Sequence, residues 1–381
     1  MRKVYADYSA TTYVKEEVLK EMIPYYNIHF GNPSSIYEEG ILAKEVINQA
    51  REKIANLINA KTEEIYFTAS ATEANNISLK GIMNANKTKG NHLITTKIEH
   101  HAVLETCKYL ENEGYEVTYL DVDKEGRIDL NKLKQSIKET TVIVSIMAVN
   151  NEIGTIQDMQ SIGEICKENN VIFHSDCVQA IGKIKIDVEK LNLGSISISA
   201  HKFYGPKGIG AMYIKNNIKF DTLIHGGHQE NGKRAGTENV ASIVGMRKAM
   251  EMSINSMDNS NKKITKLRDY LQNQIITQIP NVKVNGSINN KIGSNLNLCF
   301  DGIDCNVMLI KLNYNGISAS CGSACSSNTK TKSHVLQAIG LNSDECFSSI
   351  RFSFGERNTY SDMDYIVYIL KKIVEECIKN K

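Results

Sequence analysis

The sequence predicts an α/β protein, with a mainly parallel sheet in a large domain and a smaller α+β domain toward the C-terminus. Three observations predict it. Short apolar runs alternate with amphipathic stretches through roughly the first two thirds of the chain. A long polar helical stretch, 250–279, follows them. Beyond Pro280 lie strand-like pieces with helices between and after them. The 381 residues, 41% of them hydrophobic, are enough to bury two cores rather than one.

The elements follow in order. Segments 92–98, 141–149, 171–176 and 195–200 read as short strands buried on both faces, because they are nearly continuous in apolar or small residues. Between them, 158–169 has the spacing of an amphipathic helix. The stretch 250–279 reads as one long helix, or one interrupted near Asn259, bridging to the second domain. Segments 295–300 and 348–354 read as strands of that domain. The expected division is an N-terminal segment 1–15 packing with the small domain, a large domain 16–258 and a small domain 259–381. No period of 20–50 residues recurs, which argues against a solenoid.

Composition excludes several classes of function. The 45 basic and 43 acidic residues are well mixed, so no basic footprint for nucleic acid is present. No apolar run is long enough to cross a membrane. The opening MRKVYADYSATT lacks the apolar stretch of a signal peptide, and a cytoplasmic location is expected. Nine cysteines are scattered without a C-x-x-C pair, which argues against a disulfide framework and makes most of them small buried apolar residues.

In an open α/β sheet, ligands sit at the carboxyl ends of the strands. Five places with polar residues just after apolar runs are therefore candidates. In 67–76, Ser70 and Glu73 form a capping-box pattern, and the helix start at Ala71 and Thr72 offers N–H groups to an anion. The same pattern suits an ordinary capped helix. In 171–183, Asp176 ends a strand, where a buried carboxylate calls for a cation such as a protonated pyridine nitrogen, or where it simply caps a helix. In 195–214, Lys202 follows a strand and precedes a Gly-Pro turn. A desolvated lysine there is a nucleophile for carbonyl chemistry; a snorkelling lysine is the plainer alternative. In 97–106, His100 follows a strand and can stack on a flat ring or serve structure only. In 316–336, Cys325 lies among small polar residues, the setting of an exposed, reactive thiol. A buried inert thiol, or a metal pair with Cys321, are its alternatives; the latter lacks a second pair.

Together these segments resemble the cysteine desulfurases, in the class V aminotransferase group of fold-type I pyridoxal-phosphate enzymes. The resemblance runs through Ala10-Thr11-Thr12, HFGNPSSIY (29–37), EHHAVLET (99–106), VNNEIGTIQ (149–157), HSDCVQAIGK (174–183), RAGTEN (234–239), GSACSS (322–327), SHVLQAIG (333–340) and SIRFSFG (349–355). The block SAHKFYGPKGIGA (199–211) is its most specific part. The resemblance implies that Lys202 holds pyridoxal 5'-phosphate covalently and that Asp176 pairs with the ring nitrogen. It implies that Asn151 and Gln179 hydrogen-bond the ring's substituents, and that His100 stacks on the ring. Ala71, Thr72, Ser199 and His201 match the phosphate cradle. Thr237 matches a residue that reaches the phosphate from a partner subunit, which implies a homodimer. Arg351, with Asn151, matches the groups that bind the substrate carboxylate, and Cys325 matches the persulfide-forming cysteine on a long loop.

Departures from the family pattern cluster away from those residues. Tyr8-Ser9 stands where Asn-Ala is usual, His228 replaces a glycine, Asn231 an arginine, Cys177 an alanine and Cys321 a serine. Lys330-Thr331-Lys332 replaces Leu-Glu-Pro, so the loop is basic where the family is acidic. The implied reaction converts L-cysteine to L-alanine and leaves sulfur on Cys325 for an acceptor protein, an iron–sulfur scaffold or a tRNA-thiolation protein. The rivals are another class V enzyme, such as a selenocysteine lyase or an aminotransferase, and a non-enzymatic thiol or iron–sulfur binding protein.

Overall fold

The computed structural model describes residues 2–322 and 332–379. Its strands in chain order are β1 (Val4–Tyr5), β2 (Ile65–Thr68), β3 (His92–Thr96), β4 (Glu116–Leu120), β5 (Thr141–Ser145), β6 (Ile172–Asp176), β7 (Ser195–Ser199), β8 (Gly210–Ile214), β9 (Val282–Asn285), β10 (Asn295–Phe300), β11 (Ile317–Ser318) and β12 (Ser349–Ser353). Seven of them form one sheet in the order β2-β8-β7-β6-β5-β3-β4. Strand β8 runs antiparallel to both neighbours, and the other pairings are parallel.

Helices cover both faces of this sheet, which is why β3, β5, β7 and β8 are buried at every position and do not alternate. On one face, the helices Glu38–Leu57, Met159–Glu168 and Val240–Asn255 bring Ile47, Ile54, Ile162, Ile243 and Met246 into the largest apolar core. On the other, Ala74, Val103, Cys107 and Leu110 pack over β3 and β5. Serines inside the sheet find partners there: Ser195 donates to Ser78 across 3.0 Å.

A second sheet, β12-β10-β9, is antiparallel throughout. It packs with the helices Met257–Gln278 and Tyr360–Lys379 around Leu267, Leu271, Leu298, Phe352 and Leu370. The chain start joins this body. Strand β1 pairs in parallel with β11, and Asp7 bridges Ser353.

The stretch 250–279 is two helices rather than one, and the break falls at Ser256, not near Asn259. The Ser256 hydroxyl donates to the Met252 carbonyl at 2.9 Å, a back-bond that competes with the helix ladder. The break also separates allegiances: Ala249 and Met250 belong to the large core, Ile264 and Leu267 to the second. The strand expected over 141–149 stops at Ser145. Residues beyond it run on as extended chain, with the N–H groups of Ile146 and Ala148 donating to the His174 and Asp176 carbonyls.

Candidate active site

The carboxyl ends of β2, β3, β5, β6 and β7 open on one cavity of about 220 Å³. Ala71, Thr72, His100, Asn151, Asp176, Gln179, Ser199, His201, Lys202 and Arg351 all line it, so ten of the residues singled out from the sequence meet in one place.

Strand β6 delivers Asp176 at its last position, 4% exposed. Asn75 Nδ2 donates to one carboxylate oxygen at 2.8 Å and the Val178 N–H to the other at 3.0 Å. Burial of a carboxylate is tolerable because both oxygens are bonded. Strand β7 ends at Ser199, and the tight turn Ala200–Lys202 swings Lys202 into the cavity. Its Nζ donates to the carbonyls of Ser9 and Ala10, each at 2.7 Å. The N-terminal segment is fastened to the same turn: the Thr12 N–H and hydroxyl both donate to the His201 carbonyl, and His201 Nδ1 meets Thr11 Oγ1 at 3.0 Å.

Burial disfavours the charged form of both imidazoles on the cavity. Burial pushes His201 down to about 4, helped by the positive charges of Lys202 and Lys207. Burial also lowers His100; Lys202 adds to the effect and Asp176 opposes it. His100 caps the helix His101–Asn112 by accepting the Ala102 N–H on Nδ1 at 3.1 Å, which assigns the ring hydrogen to Nε2.

At the helix start Ala71–Asn76, Ser70 Oγ accepts the Glu73 N–H at 3.2 Å. The expected capping box is only half formed. Glu73 reaches past Ser70 to the Ala69 N–H at 3.0 Å and takes Arg234 Nε at 2.7 Å, because an ion pair outcompetes a second backbone cap. Gly210 of β8 abuts this turn. A Cβ there would sit 2.7 Å from the Ser70 carbonyl carbon and 2.9 Å from the Ala71 nitrogen, so only glycine allows the strand this close.

Arg351 of β12 is buried at 1% exposure. Its Nη2 donates to Asp7 Oδ1 at 2.7 Å and its Nη1 to the Asn151 carbonyl at 3.1 Å. Asp7 Oδ2 accepts from Ser320 at 2.8 Å, so the pair is one-pronged rather than bidentate. The second sheet thereby contributes a cation to a cavity built by the first.

One of the expected residues is not in this assembly. Thr237 is exposed and lies off the cavity within this chain. Cys325 lies outside the described residues, as do Lys330 and Thr331. Lys332 donates to Ser343 at 2.6 Å. Cys321 is half-buried with its thiol close to that of Cys305, a neighbour 16 positions away that the sequence alone does not suggest. Among the described residues, no three His, Cys, Asp or Glu side chains are placed to hold a metal ion.

Sequence reasoning missed three residues that support this cavity: Asn75, Asp7 and Glu99. Asn75 had a usable signal, being four residues after Ala71 and so on the same helix face. Glu99 sits under the site, fully buried. Its Oε1 accepts from Thr96 and from the Met147 N–H, its Oε2 has no partner among the described residues, and burial pushes it up to about 8.

The residues present fit pyridoxal phosphate. The first-turn N–H groups at Ala71 and Thr72 have no carbonyl of their own helix to donate to and suit a phosphate. His100 offers a flat neutral ring, Asp176 a buried acid and Lys202 an amine. Asn75 Oδ1 and Arg351 Nε are buried polar atoms of the cavity wall without a protein partner among the described residues, groups that a polar ligand would satisfy.

Comparison with known proteins agrees with this chemistry. The family model for class V aminotransferases matches residues 4–366. A cysteine desulfurase IscS of Clostridium botulinum is 50% identical over 377 residues, covering 98% of this chain and 95% of the relative. A solved NifS-like protein superposes with a TM-score of 0.92 at 39% identity, covering 99% of each chain. The structure of SspA in complex with cysteine gives 0.82 at 36% identity, covering 93% of this chain and 99% of that one. The chain belongs to the class V aminotransferase family of pyridoxal-phosphate enzymes, and within it to the cysteine desulfurases.

Proposed function

We propose that the protein removes sulfur from L-cysteine, releases L-alanine and carries the sulfur as a persulfide on Cys325 to an acceptor protein. The observation that supports this reading best is the convergence of Lys202, Asp176, His100 and Arg351 on one cavity, from separate stretches of chain and from both sheets. When bound, pyridoxal phosphate supplies the electron sink for charge that develops at the substrate's α-carbon.

The chain's own residues divide the remaining work. Lys202 holds the cofactor and moves the α-proton at Nζ. Asp176, kept in place by Asn75, would pair with the ring nitrogen. Asn151 and Gln179 would bond the ring's substituents, and His100 would stack on the ring. Ala71, Thr72, Ser199 and His201 form the phosphate cradle. Arg351 orients the substrate by its carboxylate. The Cys325 thiolate attacks the substrate sulfur; an S–S bond forms, the carbon–sulfur bond breaks, and the carbon takes a proton to give alanine. Residues 16–258 serve as the cofactor-binding domain and 259–381 as the domain that carries the cysteine loop.

The working unit in this reading is a homodimer in which Thr237 of one protomer completes its partner's phosphate site. Exposed apolar side chains crowd the segment 19–42, among them Ile23, Tyr26, Ile28, Phe30 and Ile36, an excess that suits burial against a second copy. Among the described residues no helix is long and apolar enough to cross a membrane. We place the enzyme in the cytoplasm, handing sulfur to an iron–sulfur scaffold or a tRNA-thiolation protein.

Borohydride reduction and peptide mapping test the cofactor assignment: the adduct is expected on Lys202, and an adduct on Lys207 refutes it. The activity is tested by adding cysteine and measuring alanine and sulfide. Alanine formation that persists in Cys325→Ala at the parent's rate would remove Cys325 from the chemistry.

A further inference from the structure

Lys183 is a half-buried amine beside the site to which the reading above gives no task. Its Nζ donates to Gln179 Oε1 at 2.6 Å. The other end of that amide, Nε2, donates to the Ser9 carbonyl at 3.0 Å, and the same carbonyl accepts from Lys202 Nζ at 2.7 Å. A continuous run of hydrogen bonds therefore joins Lys183 to Lys202 through Gln179 and Ser9. The Lys183 backbone is pinned as well, with Asn261 Nδ2 donating to its carbonyl at 2.7 Å and its own N–H donating to Ala180 at 2.9 Å.

The surroundings make this amine costly. The charges that act on it are Lys202 and Arg351, both positive, and together with the larger effect of burial they bring its ammonium down to about 7. Glu356, on the adjoining small cavity that Lys183 also lines, is paired with Lys15 at 2.8 Å. The Gln179 bond is thus its one specific polar contact among the described residues. That bond removes an ambiguity intrinsic to glutamine, whose amide ends are nearly equal in shape and opposite in hydrogen-bonding sense. A lysine ammonium can only donate, so it bonds Oε1 and cannot accept from the N–H groups of a flipped amide.

We propose that Lys183 is a positioning residue that locks the Gln179 amide, Oε1 inward and Nε2 toward Ser9 and the cavity, so that Gln179 presents a donor and not an acceptor to the cofactor beside Lys202. The inference rests on the proposed reading of Lys202 and Gln179 as cofactor residues. With the cofactor bound, a donor aimed at its ring oxygen would compete for the lone pair that otherwise helps hold a proton at Lys202 Nζ, and would ease that nitrogen's deprotonation. Loss of the lock raises the pKa of the chromophore.

The experiment is a visible-absorbance pH titration of the holoenzyme and its variants. Lys183→Met is expected to raise the chromophore midpoint by about one unit. Gln179→Leu is expected to raise it similarly, and the double variant no further than Gln179→Leu alone. Lys183→Gln keeps an N–H donor and drops the charge; a midpoint near the parent's supports the lock and keeps the test open if the Met variant does not fold. An unchanged midpoint in Lys183→Met overturns the proposal. So do fully additive shifts in the double variant, which would assign the effect to through-space charge, and a Lys183→Gln midpoint as high as that of Lys183→Met. A parent holoenzyme with no titrating chromophore overturns the cofactor reading itself, and this inference with it.

Discussion

Asp7 occupies one prong of the Arg351 guanidinium, and in the proposed reading of Arg351 as the group that binds the substrate carboxylate, that pairing has opposite consequences for stability and for substrate binding. Consider Asp7→Asn, which keeps the shape and an acceptor oxygen and removes the charge. The parent contact is a single charge-assisted hydrogen bond of 2.7 Å between a guanidinium 1% exposed and a carboxylate 13% exposed. Hydrogen bonds to charged groups contribute about 1.5–3 kcal/mol and neutral ones about 1 kcal/mol, so the substitution is expected to cost the apoprotein about 1–2 kcal/mol. That corresponds to a fall of about 1–3 °C in melting midpoint for a chain of this length. Substrate binding moves the other way. In the parent, an incoming carboxylate meets a guanidinium already engaged by Asp7, with Nη1 on the Asn151 carbonyl and only Nε unbonded among the described residues. The neutral amide of the variant competes less well for the same fork, so the KM for cysteine is expected to fall by roughly three- to tenfold, about 1 kcal/mol of relieved competition. Scanning calorimetry of the apoprotein and initial-rate kinetics of alanine formation measure the two effects. A variant that melts like the parent with an unchanged KM refutes the reasoning, because Asp7 would then be neither a structural partner nor a competitor.

The other predictions are independent of that pair. Glu99 is pushed up to about 8 by burial, so its protonated form contributes stability that is fully present below the ordinary carboxylate range and is lost as pH rises through about 8. Glu99→Gln mimics the protonated form, and its stability relative to the parent is expected to grow between about pH 5 and 8; a difference that stays flat across that window refutes the assignment. Asn75→Leu removes the Nδ2 bond to Asp176 and is expected to cost about 1.5–3 kcal/mol in denaturant unfolding; an unchanged midpoint would mean that Asp176 is held by other groups. Glu230 accepts both prongs of Arg51 at 2.6 and 2.8 Å and the Phe67 N–H at 2.8 Å, in a nearly dry setting. Glu230→Ala leaves that cation uncompensated and is expected to cost about 3–5 kcal/mol, more than Glu230→Gln, in the same unfolding assay.

The core strands and the site residues at their ends were legible in the sequence because both are local signals. A strand buried on two faces must be apolar or small throughout, so 195–200 and 171–176 announce themselves, and a polar residue at the end of such a run has a ligand or a cap to explain it. Lys202, Asp176 and His100 are of this kind, as is the specific block 199–211 that carries the family resemblance. The apolar spacing puts the helix break near Asn259, beyond its true place at Ser256, since a serine back-bond and a change of core are not written in that spacing.

What only the tertiary structure decided are the partners drawn from far along the chain. Asp7 and Arg351 are 344 positions apart, Asn75 and Asp176 are 101, and Ser9 and Lys202 are 193. Asp7, Asn75 and Ser9 are ordinary polar residues in their own segments. Each acquires its role because folding removes water from around a charge, and a charge without water must be met by whichever donor or acceptor the fold brings near. Sequence alone singled out the strands of the sheet and the Lys202, Asp176 and His100 side chains that line the cavity at their ends. The fold decided which carbonyls hold the amine, which amide holds the acid and which carboxylate shares the arginine, because those pairings depend on the geometry of strands that meet only in three dimensions.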